Sequence, residues 1–551
     1  MSRGVEQNSV DRPSRRGLVP SAHQGAPLRR RPHGEPQPSP AAPHFPCCRV
    51  YRPLEKRMNR HSCDVVIVGG GTAGAVLAAR LSEDGRRHVV LLEAGPVFPP
   101  GSSPFTVASS AFIGRAAGYD WGYTARPRHS PLPRGRMIGG SSAMNGTVAM
   151  RALPADFARW TRRGVHGWTW SDVLPDYMRL EHADAPCMTH RGRSGPLPVH
   201  QLRRSELSTL QAGFLSATRR LGYRPADFNG ITPHGAAPYP VNAVHGTRVN
   251  TAMAYLTASV RARPHLRIER HTLVDRVLVR GHRVTGVALA DGRTLYAPDV
   301  ILSAGTYGSA ALLLRSGIGP RQHLRQLGIP VVRELPVGTA YRDHPLLQLP
   351  CLAWPWRAGR PRSVAAAAVW TASTSAPPGE LDLHVGIMQP ITPVPVPVFT
   401  LIAGVTRPRS HGTITLTSRD PHAAPRIHPR WLTDERDRKR MAQAMSLANH
   451  LTHTDPLARM IACRLFPDPG TMPSARLHRI LKASVRTFHH PTSSAPMGPA
   501  DDPRAVVDAL GRVHGLHGLR VVDASIFPDA PSAPVNLTVI MTAEHIAGTL
   551  R

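Results

Sequence analysis

The stretch Asp64-Val65-Val66-Ile67-Val68-Gly69-Gly70-Gly71-Thr72-Ala73-Gly74, continued by Ala75-Val76-Leu77-Ala78-Ala79-Arg80-Leu81 and then Val89-Val90-Leu91-Leu92-Glu93, decides the fold. Its order is apolar strand, glycine-rich turn, apolar helix, second apolar strand, acid. Gly69 permits the tight turn, Gly71 lets the backbone approach a pyrophosphate, and Gly74 lets helix and strand pack closely, while the helix N-terminus offers unpaired N–H groups to the anion. Glu93, at the tip of the second strand, stands where a carboxylate accepts hydrogen bonds from an adenosine ribose. A glycine turn alone is as often a plain turn, but the complete unit binds a dinucleotide, with FAD and NAD both open at this point.

A chain of 551 residues is too long for one ordinary core and fits two domains, or one domain interrupted by another. Hydrophobic content of 41% and charged content of 19% describe a globular chain. The first 57 residues differ, with ten prolines, the run Arg29-Arg30-Arg31 and no hydrophobic period, and are expected to form a disordered basic tail. No apolar stretch follows Arg15-Arg16, which argues against a twin-arginine export signal, and Met58 is the expected start of translation.

The net charge of +32 invites a nucleic-acid reading. Only three lysines, Lys56, Lys439 and Lys482, contribute to it, and the arginines are spread along the chain without a recognition motif, so only nonspecific polyanion binding at low salt is expected. Cys47, Cys48, Cys63, Cys187, Cys351 and Cys463 form no CxxC and no framework, which suits free thiols in a reducing cytoplasm. The longest uncharged stretch, 385–406, is broken by Pro390, Pro393, Pro395 and Pro397, so no membrane-spanning helix is expected. His514 and His517, beside Gly515 and Gly518, read as loop residues, and no metal site is expected.

Further along, Arg134-Gly135-Arg136-Met137-Ile138-Gly139-Gly140-Ser141-Ser142-Ala143-Met144-Asn145-Gly146 forms a loop able to bring backbone close to a flat or charged group. Val300-Ile301-Leu302-Ser303-Ala304-Gly305 reads as a buried parallel strand ending in small residues at its carboxyl edge, followed by a helix stopped at Gly317-Ile318-Gly319-Pro320. Val398–Ala403, a turn at Ser410-His411-Gly412 and the alternating Thr413–Thr417 read as an antiparallel hairpin. Leu519–Asp523 reads as a strand and Val539–Leu550 as a closing helix. The expectation is an α/β fold: a Rossmann-like dinucleotide-binding domain with an inserted α+β substrate domain built on an antiparallel sheet.

These motifs, in this order, resemble the glucose-methanol-choline (GMC) flavin oxidoreductases over nearly all of residues 62–551. Arg136–Gly146 looks like that family's first signature, and Ile301–Ser309 through Ser316–Pro320 like its second; Tyr119–Tyr123, Gly167–Pro175 and Val522–Ser525 are similar too. The resemblance implies FAD as the cofactor and a division into residues 1–59 (tail), 60–155, 236–335 and 488–551 (FAD-binding), and 156–235 and 336–487 (substrate). It implies His490, in His490-Pro491-Thr492-Ser493-Ser494-Ala495-Pro496-Met497-Gly498, as the catalytic base and Asn536, in Pro534-Val535-Asn536-Leu537-Thr538, as its partner in orienting the alcohol. The adjoining His489 is expected to face away, since successive extended residues alternate. Implied cofactor contacts are Gly69, Gly71, Thr72, Ala73, Gly74, Glu93, Ala94, Gly139, Gly140, Ser141, Asn145, Gly146, Val274, Ala304, Gly305, Asp523 and Ala524. Met144 stands where members with covalent flavin carry histidine, implying noncovalent FAD.

Two departures from the family pattern stand out: Ser493 where glycine is usual, and Ala533-Pro534 where many members show Gly-Asn. The implied activity is oxidation of a small primary alcohol by proton abstraction and hydride transfer to flavin, reoxidised by oxygen or a separate acceptor. A nonredox hydroxynitrile-lyase-like enzyme of the same fold is the alternative, and an inactive binding homologue is disfavoured because His490 and Asn536 are both present. No specificity motif is readable; Trp354, Trp356 and Trp370 are candidates for the pocket wall or for ordinary core.

Overall fold

Short runs of β-branched and aliphatic residues without alternation belong in a sheet covered on both faces. In the computed structural model, which describes residues 63–114, 118–185, 189–391 and 397–550, three such runs form the centre of a five-stranded parallel sheet whose two edge strands, Leu266–Glu269 and Leu519–Val521, alternate. Its order is Leu266–Glu269, Val89–Leu92, Val65–Val68, Asp299–Leu302 and Leu519–Val521. Every residue of the Val65–Val68 and Val89–Leu92 strands is buried. The helix Thr72–Leu81 connects these two strands and buries small side chains, Ala73, Ala75, Ala78 and Ala79, which let it lie close to its neighbours. Against it packs the helix Val535–Leu550, fastened where Arg80 meets the fully buried Glu544 at 2.8 Å and the Tyr255 hydroxyl donates to the same carboxylate.

A second, antiparallel sheet holds Ile461–Arg464, Pro345–Ala353, Val398–Val405, Leu383–Met388, Ala365–Thr371 and Gly235–Pro238 in that order, with Arg486–Thr487 beside Pro345 and Leu346. The helix Glu435–Thr452 covers one face with Met441, Ala444, Met445, Ala448 and Leu451, whose spacing of three and four residues makes one helical stripe. The parallel sheet with its βαβ unit and the antiparallel sheet with covering helices match the fold expected from the sequence. Gly235–Pro238 pairs with Ala367–Trp370 of the antiparallel sheet, so the boundary expected at 235/236 cuts a strand of the substrate side.

The expected hairpin does not form. Val398–Val405 pairs with Leu383–Met388 and Pro345–Ala353, whereas Thr413–Thr415 pairs with Arg426–His428 in a separate small sheet. Between them the Asp437 carboxylate accepts the backbone N–H groups of Arg409 and Ser410, capturing the chain before it can fold back. The uncharged stretch 385–406 lies largely in two of these strands, and among the described residues no helix is long and apolar enough to cross a membrane. The expected tail, Met58, Cys47, Cys48 and Cys187 fall outside the described residues; Cys63, Cys351 and Cys463 are free thiols.

Candidate active site

One cavity of about 510 Å³ is lined at one end by the glycine turn and the carboxyl edge of the parallel sheet, and at the other by the antiparallel sheet. At the first end the walls are backbone. Gly69 is left-handed, with φ of +101°, and a Cβ there would stand 2.6 Å from the Ser303 carbonyl oxygen. A methyl group on Gly74 would overlap the Gly69 carbonyl, and one on Gly140 would lie 2.7 Å from Gly71 Cα. The loop after Arg134 is thus pressed onto the glycine turn, where the Gly139 N–H donates to the Gly70 carbonyl at 2.7 Å. Only backbone without side chains fits here, as the close approach of a pyrophosphate requires.

Glu93 accepts from the Gly70 N–H at 2.9 Å through Oε2 and from the Gly95 N–H at 2.8 Å through Oε1, which fixes the carboxylate at the strand tip with lone pairs left for ribose hydroxyls. Burial raises its pKa, and the two backbone donors work against that rise. Asp523 accepts from the Gly305 N–H at 2.9 Å and from Ser309 Oγ at 2.6 Å, tying the strand Leu519–Val521 to the first turn of the helix Gly305–Arg315. Burial raises its pKa as well. The loop ending at Gly146 is held by a residue that no motif announces: the buried Arg248 donates to the carbonyls of Val107, Ala143, Phe112 and Asn145. Desolvation lowers the Arg248 pKa to about 10.

At the far end the imidazole of His490 faces the cavity. Its backbone N–H donates to Asp343 Oδ1 at 3.0 Å, its Nδ1 shares a hydrogen bond with His344 Nδ1 at 3.0 Å, and its ring lies against Phe488 with centroids 4.8 Å apart. Enclosure, followed by the neighbouring His344, His489 and Arg134, holds the His490 pKa well below the ordinary value. His344 is pushed down to about 3 by burial, and Asp343 beside it is pushed up to about 6 by burial. Within the same cluster the Tyr239 hydroxyl and His384 Nε2 share a bond of 2.6 Å, His384 packs against the Phe488 ring at 5.6 Å, and burial lowers His384 to about 3.

Of the residues expected to contact the cofactor, all but Gly74 and Gly139 line this cavity, and those two act from behind its wall by allowing the close packing. Asn536 lines it too, with its amide oxygen tied to the helix after the glycine turn. Thr72 Oγ1, on the first residue of the helix after the glycine turn, donates to Asn536 Oδ1 at 3.3 Å. The closing helix begins at Val535 rather than Val539, which sets Asn536 in its first turn, against that helix. Pro534, two residues earlier, also lines the cavity.

His489 also lines the cavity instead of facing away. Its φ of +67° is left-handed, so the alternation of an extended strand does not apply. None of the three tryptophans lines the pocket: Trp370 is fully buried in a core cluster with Phe228 and Tyr239, while Trp354 and Trp356 stack on each other at the surface. Tyr239, His384, Gln348 and Phe488 are among the wall residues that sequence reading missed; they belong to no motif, and the pairing of distant strands brings them together. Among the described residues no cluster of His, Cys, Asp and Glu could hold a metal ion.

Residues 63–346 and 408–543 match the N- and C-terminal models of the GMC oxidoreductase family. The chain is 34% identical to 5-(hydroxymethyl)furfural oxidase of Methylovorus sp. (strain MP688), over 88% of this chain and 98% of the relative. It is 32% identical to mitochondrial choline dehydrogenase of Mus musculus, over 92% and 91% of the two. The crystal structure of pyridoxine 4-oxidase from Mesorbium loti superposes with a TM-score of 0.80 at 32% identity, covering 88% of this chain and 99% of that one. The chain therefore belongs to the GMC oxidoreductase family, as an FAD-dependent enzyme acting on alcohols.

Proposed function

We propose that this enzyme oxidises a primary alcohol to the aldehyde, with His490 accepting the hydroxyl proton. The observation that carries the reading is the setting of His490. With Nδ1 engaged by His344, Nε2 is the ring nitrogen left for the cavity. The reading assigns to His490 the tautomer in which Nδ1–H donates to His344 Nδ1 and Nε2 holds a lone pair, and the lowered pKa keeps the ring neutral at physiological pH, as a proton acceptor must be. Bound FAD supplies the hydride acceptor.

The rest of the site holds that histidine still. Asp343 grips its backbone N–H, Phe488 limits its ring rotation, and Thr306 Oγ1 donates to the Pro491 carbonyl at 2.7 Å, anchoring the next residue. Asn536 keeps its role in orienting the alcohol: Thr72 takes one lone pair of its amide oxygen, and the amide N–H groups of this cavity-lining residue remain to donate. Met144, at the end of the loop that presses on the glycine turn, offers no nucleophile to the flavin, which supports noncovalent FAD.

The test is an anaerobic visible spectrum of the purified holoenzyme before and after addition of primary alcohols. Bleaching of the oxidised-flavin band near about 450 nm, with release of aldehyde, is the expected result. A flavin that stays oxidised with every alcohol tried would turn the reading toward nonredox chemistry on the same fold. FAD released intact by brief heating or acid would confirm noncovalent binding, and a yellow protein pellet would refute it.

A further inference from the structure

Resting on the alcohol-oxidising reading, we infer that the substrate is an uncharged primary alcohol with a mostly apolar body, and that this enzyme rejects quaternary ammonium alcohols such as choline. The sheet face that meets the cavity is formed by Leu346, Gln348, His384, Met388, Ile402 and Ala365. Two glycines leave gaps in that face for aromatic rings from outside it. A Cβ on Gly386 would stand 2.7 Å from the Tyr239 hydroxyl, and one on Gly404 would stand 3.0 Å from the Phe488 ring. The result is a largely apolar floor whose polar groups are the His384 imidazole, bonded to the Tyr239 hydroxyl, and one neutral amide, the exposed Gln348, whose side chain makes no hydrogen bond among the described residues.

Charge decides against a cation. The acids lining the whole cavity, among the described residues, are Glu93 and Asp523. Both are engaged by backbone N–H groups, Glu93 at the glycine turn and Asp523 at Gly305 and Ser525. The internal segments outside the described residues, 115–117, 186–188 and 392–396, contain no Asp or Glu. At the histidine end the charged group on the cavity surface is Arg134, whose guanidinium donates to the His489 carbonyl at 3.2 Å and lies over Tyr307. The nearest carboxylate, Asp343, is buried behind that wall, where it accepts from the His490 backbone N–H and from the Tyr341 hydroxyl. His344, His384 and His490 are held neutral by burial, so they neither add to this charge nor offset it.

An aromatic cage could replace a carboxylate in holding a quaternary ammonium group. The rings on the sheet side each have one face occupied by a neutral imidazole, and of the remaining aromatic lining Trp121 stacks on Tyr123 beneath Arg136 while Tyr307 lies beneath Arg134. Tyr239 stacks on His384 at 5.7 Å, and Phe488 stacks on His490 at 4.8 Å. A cation entering this end would lose its hydration beside a like charge with no carboxylate on the cavity surface to compensate it, whereas a neutral alcohol of the same shape would not.

Choline and 3,3-dimethylbutan-1-ol are that matched pair, alike in shape and different in charge. In anaerobic stopped-flow reduction of the holoenzyme, the neutral alcohol is expected to exceed choline in efficiency by about a hundredfold or more. Gln348→Glu, which places a carboxylate on the floor, is expected to narrow that ratio by about tenfold, chiefly through choline. Choline reducing the flavin as well as its isostere overturns the inference and leaves alcohol oxidation standing. If no alcohol reduces the flavin, the alcohol-oxidation reading falls, and binding of the same pair to the His490→Ala holoenzyme, read from perturbation of the flavin spectrum, still decides the question of charge: tighter binding of the neutral alcohol supports the inference, and equal or tighter binding of choline overturns it.

Discussion

At the carboxyl edge of the parallel sheet the cavity is walled by backbone, and on the face of the antiparallel sheet it is walled by side chains. The first wall is made by Gly69, Gly71 and Gly140, where any Cβ would meet another strand or loop, or would fill the space a phosphate needs. The second is made by Tyr239, Gln348, His384 and Phe488, spread over 250 residues of chain and joined by strand pairing. Backbone recognition demands glycine at fixed, contiguous spacing, which ties the cofactor to one sequence pattern. A side-chain wall on a regular sheet can change residue by residue without disturbing the strand hydrogen bonds, which frees the substrate to differ between relatives. The relatives named for a furfural alcohol, choline and pyridoxine show that freedom.

The largest expected effect separates the two ends outright. His490→Ala should retain FAD, since His490 makes none of the backbone cradle, and should lose turnover by about 10² to 10⁴. The ratio of flavin to protein absorbance and the rate of anaerobic reduction check the two halves of that statement. A variant that turns over normally places the proton acceptor elsewhere.

Acid should expose the second end before the first. His344 and His384 have folded pKa values of about 3 against an unfolded value of about 6.5, so the unfolded chain binds more protons at any pH between these limits. Their contribution to stability is complete above about 6.5 and is lost as pH falls toward 3. Asp343, raised to about 6, acts in the opposite sense and offsets part of the loss between about 6 and 4. The net expectation is a fall on the order of 1 to 3 kcal/mol per pH unit below about 6. Denaturant titrations between pH 7 and 5 measure it directly, and His384→Asn should flatten the slope; an unchanged slope would show that these rings do not titrate on unfolding.

The first end is tested by adding one methyl group. Gly140→Ala puts a Cβ 2.7 Å from Gly71 Cα, at a φ of +52°, where neither backbone can yield as a flexible side chain would. The expected outcome is lost flavin and a destabilisation of about 1 to 3 kcal/mol, read from absorbance and thermal melting. Full flavin occupancy would mean that the two loops separate without cost.

The same contrast sets what could be read from the sequence. Strand, turn, helix, strand and acid from Asp64 to Glu93 follow one another in the chain, so physical reasoning reaches the dinucleotide site directly. His490 is visible only through resemblance, because one histidine among 29 carries no distinguishing pattern of its own. Tyr239 and His384, 145 residues apart, become neighbours only when Gly235–Pro238 and Leu383–Met388 flank Ala365–Thr371. Local conformation misled the reading at His489, whose left-handed backbone cancels strand alternation, and at the closing helix, which begins at Val535 and so takes in Asn536. The hairpin failed for a tertiary reason, since the Asp437 carboxylate that diverts the chain lies far along it, on a helix.

The smallest effect lies where this chain departs from the family it belongs to. Ser493, fully buried, adopts φ of +64°, the conformation that explains why glycine is usual there. A left-handed backbone costs a non-glycine residue about 1 to 2 kcal/mol. Against this, Ser493 Oγ donates to Thr492 Oγ1 at 3.1 Å, a contribution of about 0.5 to 1.5 kcal/mol, and glycine would free the unfolded chain by about 0.5 to 1 kcal/mol. These terms nearly cancel, so Ser493→Gly should shift stability by no more than about 1 kcal/mol in either direction and leave the reduction rate unchanged. A marked loss of rate without loss of stability would give the hydroxyl a part in holding the segment that carries His490, and would move the substrate wall's influence three residues further along the chain.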